Sequence, residues 1–248
     1  AKGPAKPLNF FGYKVGMKSA YLRDNTPHSL TKGQRIIIPV TIIEVPTFKI
    51  LSVRFYKKNL LVGEVINDKL DKELKRKIKI PKVTKNKIDD FKKEYDKIKI
   101  IIYTNVKKTA IKKTPDIAEI GLSGNSSEIR TFVINNFHKE FSVHDFLTTE
   151  FMKTGLVDIR GVTKGKGFQG STKRFGLDLQ AHKSEKGVRG PGSGGPWHPA
   201  RVEFTQPMAG QLGYFSRVIN NNKVIHFDSI SKKDINPNEG FKHFGKIN

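Results

Sequence analysis

Lysine, arginine and aromatic side chains recur between glycines over residues 161–176, and such a pattern is suited to contacts with a phosphodiester chain. The sequence of this segment is GVTKGKGFQGSTKRFG. Glycine lets a backbone approach a ligand closely, cationic groups bind phosphates, and an aromatic ring stacks on a base. We therefore expect this segment to follow nucleic acid, with contacts from Lys164, Lys166, Phe168, Lys173 and Arg174.

A second glycine-rich stretch continues this basic track and contains the only tryptophan of the chain. Thirteen of the residues 187–217 are glycine, proline or serine, so no helix is predicted there. The track is continued by His182, Lys183, Lys186, Arg189 and Arg201. The Trp197 indole is suited to wedge against the bases of folded RNA, or else to pack locally on Pro196 and Pro199. Both alternatives stay open. We expect His198 to form hydrogen bonds, because it has no cysteine or carboxylate pair near it.

Two nucleotide-binding motifs are matched only in part. Gly165, Gly167 and Gly170 fit G-x-G-x-x-G, but no helical pattern follows that would present its N-terminus to a pyrophosphate. The stretch GVTKGKG is one residue short of a P-loop and lacks the Ser or Thr after its last lysine. There is no Ser/His/Asp set and no H-E-x-x-H, and His144 with Asp145 is better explained by helix capping. We predict no catalytic residue, no metal ligand and no cofactor.

The net charge of the chain indicates a polyanionic partner. Of 248 residues, 46 are Lys or Arg and 23 are Asp or Glu, which leaves a net charge of +23 and a pI near 10.0. Such a charge is the electrostatic footprint of nucleic-acid binding, although a lysine-rich composition from an AT-rich genome is the alternative. The chain has no cysteine, which excludes disulfides. With no signal-like or membrane-spanning apolar run, we expect an intracellular protein, unless its lysines coat an anionic membrane.

Apolar periodicity predicts mostly strands before and after a mixed central region. In chain order we expect a strand in 10–23, two strands within 36–56 that pair with each other, lysine-rich helices at 67–78 and 86–98, a strand at 97–105, helices at 126–137 and 142–152, a strand at 155–162, an Asn-rich hairpin at 214–228 and a short strand at 240–247. Residues 69–113 contain 17 Lys or Arg and 6 acidic residues. Their lysines either contact RNA or face solvent.

The ordered blocks of the C-terminal half resemble a known family. DIRGVTKGKGFQGSTKRFG, HKSEK and GPWHPARVEFTQPMAGQLGYFSR resemble the universal large-subunit ribosomal protein L3 family in its archaeal and eukaryotic form. FFGYKVGM, PVTIIEVP and GFKHFGKI look like the barrel strands of that family. The resemblance covers most of residues 10–247 and is weakest over residues 65–115.

The resemblance implies a mainly β fold. This is a six-stranded translation-protein-type β-barrel with an α/β insertion and a long extended loop that penetrates rRNA. We expect barrel strands and a short N-terminal arm in 1–62, a lysine-rich α/β insertion in 63–150, a barrel strand in 151–160, the basic loop in 161–213 and further barrel strands in 214–248. Because the chain stops before a further family strand, we expect a barrel that is incomplete at its C-terminus, with its edge covered by rRNA or a neighbouring protein.

The resemblance also implies a function. It predicts a cytoplasmic, non-enzymatic constituent of the large ribosomal subunit, in contact with 23S-type rRNA and neighbouring ribosomal proteins, with Mg²⁺ present only through the rRNA. The loop is expected to approach the peptidyl transferase centre with Trp197, His198 and Pro199 at its tip, to support early assembly and to influence A-site tRNA. Gln211 and Arg217 join the predicted rRNA contacts. No membrane contact and no homo-oligomer are expected. A transient RNA-binding assembly or translation factor on the same barrel is the alternative, and an enzyme acting on nucleic acid is disfavoured because no acid cluster for magnesium is found.

Overall fold

The computed structural model describes residues 5–81, 88, 91, 94–109, 111–142, 155–183 and 187–226. The chain folds as two units, one of Ala1–Glu150 with Asp228–Asn248 and one of Phe151–Phe227. Within the described ranges, no helix is both long enough and apolar enough to cross a bilayer.

The first unit begins with an antiparallel hairpin. Strand β1 is Tyr13–Arg23 and strand β2 is Arg35–Glu44, with Tyr13 opposite Glu44 and Arg23 opposite Arg35. Strand β2 alternates strictly between more and less exposed residues, as its period-two apolar pattern predicts. The predicted strand in 10–23 is therefore confirmed.

A five-stranded antiparallel sheet forms the centre of the first unit. Its strands are β3 (Phe48–Lys57), β4 (Leu60–Ile66), β5 (Lys97–Thr104), β6 (Ile117–Gly121) and β7 (Glu140–Phe141). The order is β4-β3-β5-β6, and β7 also pairs with the start of β3. Strand β3 comes from the segment 1–62 and lies in one sheet with strands of the segment 63–150, while the predicted five-part division of the chain stays a prediction.

Both faces of this sheet are covered, which explains why β5 has an unbroken apolar run, IIIY. Side chains alternate across a strand, so Ile101 and Tyr103 share one face. They form a buried cluster with Leu51 and with Leu74, which belongs to a short 3-10 helix, Lys72–Arg76. Helix α1 is Val106–Thr109, and helix α2, Ser126–Asn136, packs on β5. Helix α2 begins with the capping box of Asn125 and Glu128. It confirms the predicted helix at 126–137.

Tyr13 of β1 forms a hydrogen bond with the sheet region of the first unit. Its hydroxyl donates to Asp116 Oδ2 over 2.6 Å and also contacts Thr104 Oγ1 at 3.3 Å. Burial and the hydrogen bond to Asp116 raise the pKa of Tyr13 to about 12. Burial alone would raise the pKa of Asp116, but hydrogen bonds from Lys112 and Tyr13 outweigh it and keep that pKa below its usual value.

The predicted pairing of the two strands within 36–56 is wrong. Strand β2 pairs with β1, whereas β3 pairs with β4 and β5. Turn chemistry explains the difference, because a two-residue hairpin turn of the favoured type needs positive φ at both positions. Lys58 and Asn59, between β3 and β4, have φ of 47° and 65°. Pro46 cannot adopt positive φ.

The predicted lysine-rich helix at 67–78 is wrong in extent, because only Lys72–Arg76 is helical and its form is 3-10. The buried Asn67 side chain donates to the Ile50 carbonyl over 3.0 Å and accepts from the Lys69 backbone N–H, and these bonds hold the start of the segment outside a helix. Of the predicted helix at 86–98, residues 97 and 98 belong to β5, which confirms the overlapping strand prediction. The predicted helix at 142–152 and strand at 240–247 lie outside the described residues, apart from Ser142.

The second unit contains a two-stranded antiparallel sheet of β8 (Leu156–Val162) and a later strand, Ser216–Lys223. Between them lie three short elements: β9 (Phe168–Gln169), α3 (Ser171–Phe175) and β10 (Gly210–Gln211). The strand Ser216–Lys223 is β11. The strand predicted at 155–162 is confirmed.

The hairpin predicted at 214–228 is wrong. Residues 216–223 form one strand, and the Asn-rich stretch makes a bulge between Ile219 and Asn222 instead of a turn. Asn221 adopts a φ of 60°, and its backbone N–H donates to Asp158 Oδ1 of β8 over 3.0 Å. Asparagine tolerates positive φ in a bulge as well as in a turn, so its presence could not decide between the two.

A closed six-stranded barrel is not confirmed. The described strands form three two-stranded sheets and one five-stranded sheet, and none of these is closed. The mainly β character and the few short helices agree with the predicted fold class.

Candidate nucleic-acid interface

The base of the long loop is a paired structure, which we call the loop stem and define as residues 161–176 and 207–217. Its two legs pair through β9 and β10, with Phe168 opposite Gln211. Further backbone bonds run from Lys166 N to the Leu212 carbonyl (2.9 Å) and from Leu212 N to the Gly167 carbonyl (2.9 Å). The loop stem therefore continues the antiparallel pairing of β8 and β11.

Gly213 lets the two legs approach more closely than any other residue type would. It is buried, with a φ of 75°, a value that glycine adopts without strain. A Cβ at this position would collide with the Lys164 carbonyl oxygen. The glycine in the pattern QLGY is thus required by the contact between the legs.

Arg174 bonds across the loop stem. Its Nε donates to the Gln211 carbonyl over 3.1 Å, and its Nη1 donates to the Met208 carbonyl over 2.9 Å. Its guanidinium also lies 5.1 Å from the centre of the Phe175 ring. Helix α3 sets this geometry, because it ends at Gly176, whose φ is 68°. The sequence predicts Arg174 as an rRNA contact. That stays a prediction, but two of its N–H groups are already used within the chain.

The loop stem carries cations and no acidic residue. Its charged residues are Lys164, Lys166, Lys173, Arg174 and Arg217. Lys164, Lys166 and Lys173 are exposed, and among the described residues none of the three has an ion pair. An array of unpaired cations raises the local positive potential and favours a polyanion.

Several lysines outside the loop stem are in a different electrostatic situation. Lys107 pairs with Glu73 at 3.0 Å, Lys108 with Glu140 at 3.0 Å and Lys112 with Asp116 at 2.6 Å. Lys49 pairs with Asp71 at 3.0 Å. These partners offset the lysine charges, so the basic composition of this region is a weaker indicator of RNA contact than that of the loop stem.

Residues 177–206, which we call the loop arm, extend from the loop stem with few internal bonds. Gln180 N donates to the Val188 carbonyl over 3.1 Å, and Thr172 of the loop stem donates to the Arg189 carbonyl over 2.9 Å. Trp197 is 87% exposed, so packing on its neighbouring prolines does not bury the indole. The alternative of a local hydrophobic anchor is therefore not supported.

The remaining predicted site residues fall into two groups. Those on the loop arm are exposed and are not brought together with one another: His182, Lys183, Arg189, His198 and Arg201. On the loop stem, Gln211 Nε2 donates to the carbonyls of Leu212 and Gly213, and Arg217 lies over the Phe215 ring at 5.2 Å. Phe168 is exposed. Lys186 lies outside the described residues.

One exposed aromatic residue of the loop stem is absent from the sequence-predicted set. Tyr214 is 76% exposed and has a φ of 59°. The available signal was an aromatic residue directly after a glycine in an acid-free basic segment. In the part of the chain that the structure describes, no group of three His, Asp or Glu side chains could hold a metal ion.

A β-rich chain with an acid-free, cationic, glycine-rich loop has the features of a nucleic-acid-binding protein. Comparison with known proteins makes this class specific. The model of the family "Ribosomal protein L3" matches residues 4–248. The chain therefore belongs to the ribosomal protein L3 family.

Similar proteins from three archaea are named "Large ribosomal subunit protein uL3". That of Methanocaldococcus jannaschii is 40% identical over 95% of this chain and 72% of its own length. That of Picrophilus torridus is 38% identical, over 99% and 75%. That of Thermoplasma acidophilum is 37% identical, over 99% and 76%. The similarity thus extends over nearly the whole of this chain and about three quarters of each relative.

Proposed function

We propose that this chain is a structural constituent of the large ribosomal subunit in the cytoplasm and binds 23S-type large-subunit rRNA through the loop stem and the loop arm. The observation that carries the proposal is the set of exposed, unpaired lysines on an acid-free loop stem in a member of the ribosomal protein L3 family. Lys164, Lys166 and Lys173 would contact phosphates, and Arg174 would hold the surface that presents them.

The loop arm is proposed to enter folded rRNA and approach the peptidyl transferase centre, with Trp197 at its tip. An extended, exposed segment with few internal bonds gains order from a partner, and a polyanion suits its charge. In this position the loop arm would support early subunit assembly and influence A-site tRNA indirectly. The exposure of the Trp197 indole supports a role as a wedge against bases.

The remaining parts of the proposal follow from the same family. Neighbouring large-subunit proteins would be its other partners, and it would act neither as an enzyme nor as a homo-oligomer. Any Mg²⁺ nearby would belong to the rRNA. A translation-protein-type barrel is proposed for the β-rich body, supported by the regular alternation of exposure in β2 and in the first half of β8.

The salt dependence of rRNA binding tests the role of the loop stem. Lys164→Gln, Lys166→Gln and Lys173→Gln should each weaken binding of a large-subunit rRNA transcript, and each should lower the slope of log K against log salt by about 0.7 to 0.9. Lys107→Gln is the matched control, because that exposed lysine is paired with Glu73. It should leave the slope unchanged.

Two results would contradict this assignment. One is equal slopes for the three loop-stem variants and the wild-type chain. The other is an equal loss in the Lys107→Gln control, which would mean that binding depends on net charge alone. In cells, charge reversal at Lys164 and Lys166 should reduce the level of mature large subunits, and normal levels would count against a role in assembly.

A further inference from the structure

Tyr214 combines an unfavourable backbone conformation with a ring that is largely exposed. Its φ of 59° lies in the left-handed region, which bulky L-residues rarely adopt. Its side chain is 76% exposed. Glycine or asparagine would adopt this backbone at lower cost, and the ring gains little burial in return. Local packing therefore does not explain a tyrosine at this position, and residues held in such conformations tend to occur at functional sites.

The backbone around Tyr214 is fixed by the opposite leg of the loop stem. Tyr214 N donates to the Thr163 carbonyl over 3.1 Å, and Phe215 N donates to Thr163 Oγ1 over 3.1 Å. The preceding Gly213 is buried against the Lys164 carbonyl. Because bonds on both sides hold the backbone, the ring is presented from a preorganised position, which lowers the entropy lost when a ligand packs on it.

The surroundings of Tyr214 select the chemistry of the ligand. Lys164 follows the Thr163 to which Tyr214 is bonded, and the whole loop stem carries five cations and no acid. A ligand that suits both features has negative charge and a flat aromatic face, as each nucleotide of an RNA chain has. Base stacking on aromatic side chains beside a basic groove is a general mode of binding to unpaired nucleotides.

We propose that Tyr214 is a nucleobase-stacking site on the loop stem, separate in sequence from the predicted wedge at Trp197. The site takes an unpaired base of an RNA chain, and Lys164 and Lys166 neutralise the adjoining phosphates. The proposal rests on the proposed function, because it requires that the loop stem meets RNA, and it adds a residue and a type of contact that the basic track alone does not predict.

The test compares two probes that differ only in their bases. One is a fluorescein-labelled, single-stranded RNA of mixed sequence, and the other is a phosphodiester chain of equal length built from abasic residues. The full chain should bind the RNA more tightly than the abasic chain. Tyr214→Asn should weaken RNA binding by about 5- to 150-fold, the range given by one base stacked on an aromatic side chain. Binding of the abasic chain should stay within about twofold of the wild-type value, as stacking needs a base.

Three variants control for folding and for generic aromatic contacts. Tyr214→Phe keeps the ring and should retain RNA affinity. Tyr214→Asn should melt at or above the wild-type temperature, because asparagine tolerates the left-handed conformation. Tyr21→Thr removes a tyrosine of matched exposure, 77%, from β1 and should not change RNA affinity.

The outcomes separate the inference from the function on which it rests. Wild-type affinity in Tyr214→Asn would overturn the stacking site while leaving RNA binding intact. An equal loss on both probes would also overturn it, because Tyr214 would then only shape the loop stem. If the wild-type chain bound neither probe nor an rRNA transcript, the proposed function itself would fail.

Discussion

Arg174 allows the structure and the basic pattern to be tested against each other. A phosphate contact would depend on its charge, whereas the observed geometry depends on its two hydrogen bonds, to the carbonyls of Gln211 and Met208. At this partly exposed site each bond should contribute about 1 kcal/mol, toward the lower end for bonds from a charged donor. Arg174→Gln should therefore destabilise the loop stem by about 2 kcal/mol, which corresponds to about 30-fold faster local opening.

Amide hydrogen exchange of the RNA-free chain measures this opening. The amides of Lys166 and Leu212 bond across the legs and should exchange about 30-fold faster in Arg174→Gln. Arg174→Lys should also lose protection, since one ammonium group does not reproduce the fork of a guanidinium. Lys173→Gln, one residue earlier and exposed, is the matched control and should change the rates less than about twofold. Full protection in Arg174→Lys, or equal rates in Arg174→Gln and Lys173→Gln, would refute the reasoning.

Three further predictions concern the loop and the first unit. Gly213→Ala should destabilise the loop stem by more than 2 kcal/mol, because a collision with the Lys164 carbonyl adds to the strain of positive φ, whereas Gly167→Ala, with open space around it, should cost only the strain of about 1 kcal/mol. Tyr13→Phe should lower the free energy of unfolding by about 1 kcal/mol at pH 8, and this difference should shrink as the pH rises from 10 to 12, because the pKa of Tyr13 is raised from 10.0 to about 12 in the folded state. Trp197→Ala should leave the melting temperature unchanged, because the indole is exposed, and should impair A-site tRNA binding by large subunits that contain it.

Each of these has a specific contradicting result. Equal exchange rates in Gly213→Ala and Gly167→Ala would show that the legs do not meet at Gly213. A difference in unfolding free energy between wild type and Tyr13→Phe that stayed constant from pH 8 to 12, measured in urea, would exclude the hydrogen bond to Asp116 as its source. Normal tRNA binding by Trp197→Ala subunits would remove the proposed role of the loop tip.

Elements with a strong local pattern could be predicted from the sequence. Strand β5 has a continuous β-branched run, helix α2 has its capping box, and β8 has a period-two pattern. In each case propensity and burial favour the same structure, so tertiary contacts had nothing to override.

Elements whose form depends on a partner strand could not be predicted. The run within 36–56 is interrupted at Pro46, and nothing local indicates that its two strands join different sheets. The Asn-rich stretch becomes a bulge only because Asp158 of β8 binds Asn221. Long-range pairing decided both cases, and hydrophobic periodicity does not contain that information.

The candidate site shows the same division. The types of residue in the basic track predict a phosphate-binding surface, and the exposed lysines of the loop stem are consistent with it. The clamp formed by Arg174 and the positive φ of Tyr214 arise only when the two legs meet across some 40 residues of sequence. The sequence therefore predicts the charge of the loop stem and leaves its shape undetermined.

Sedimentation of ribosomal particles from the source organism tests the central claim most directly. Particles would be washed in high salt and separated, and the amount of this chain in each fraction would be measured by mass spectrometry. The account predicts about one copy for each large subunit, retained after the wash, because many phosphate contacts act together. Recovery mainly in the salt-stripped supernatant, as expected for a transient RNA-binding factor, would contradict it.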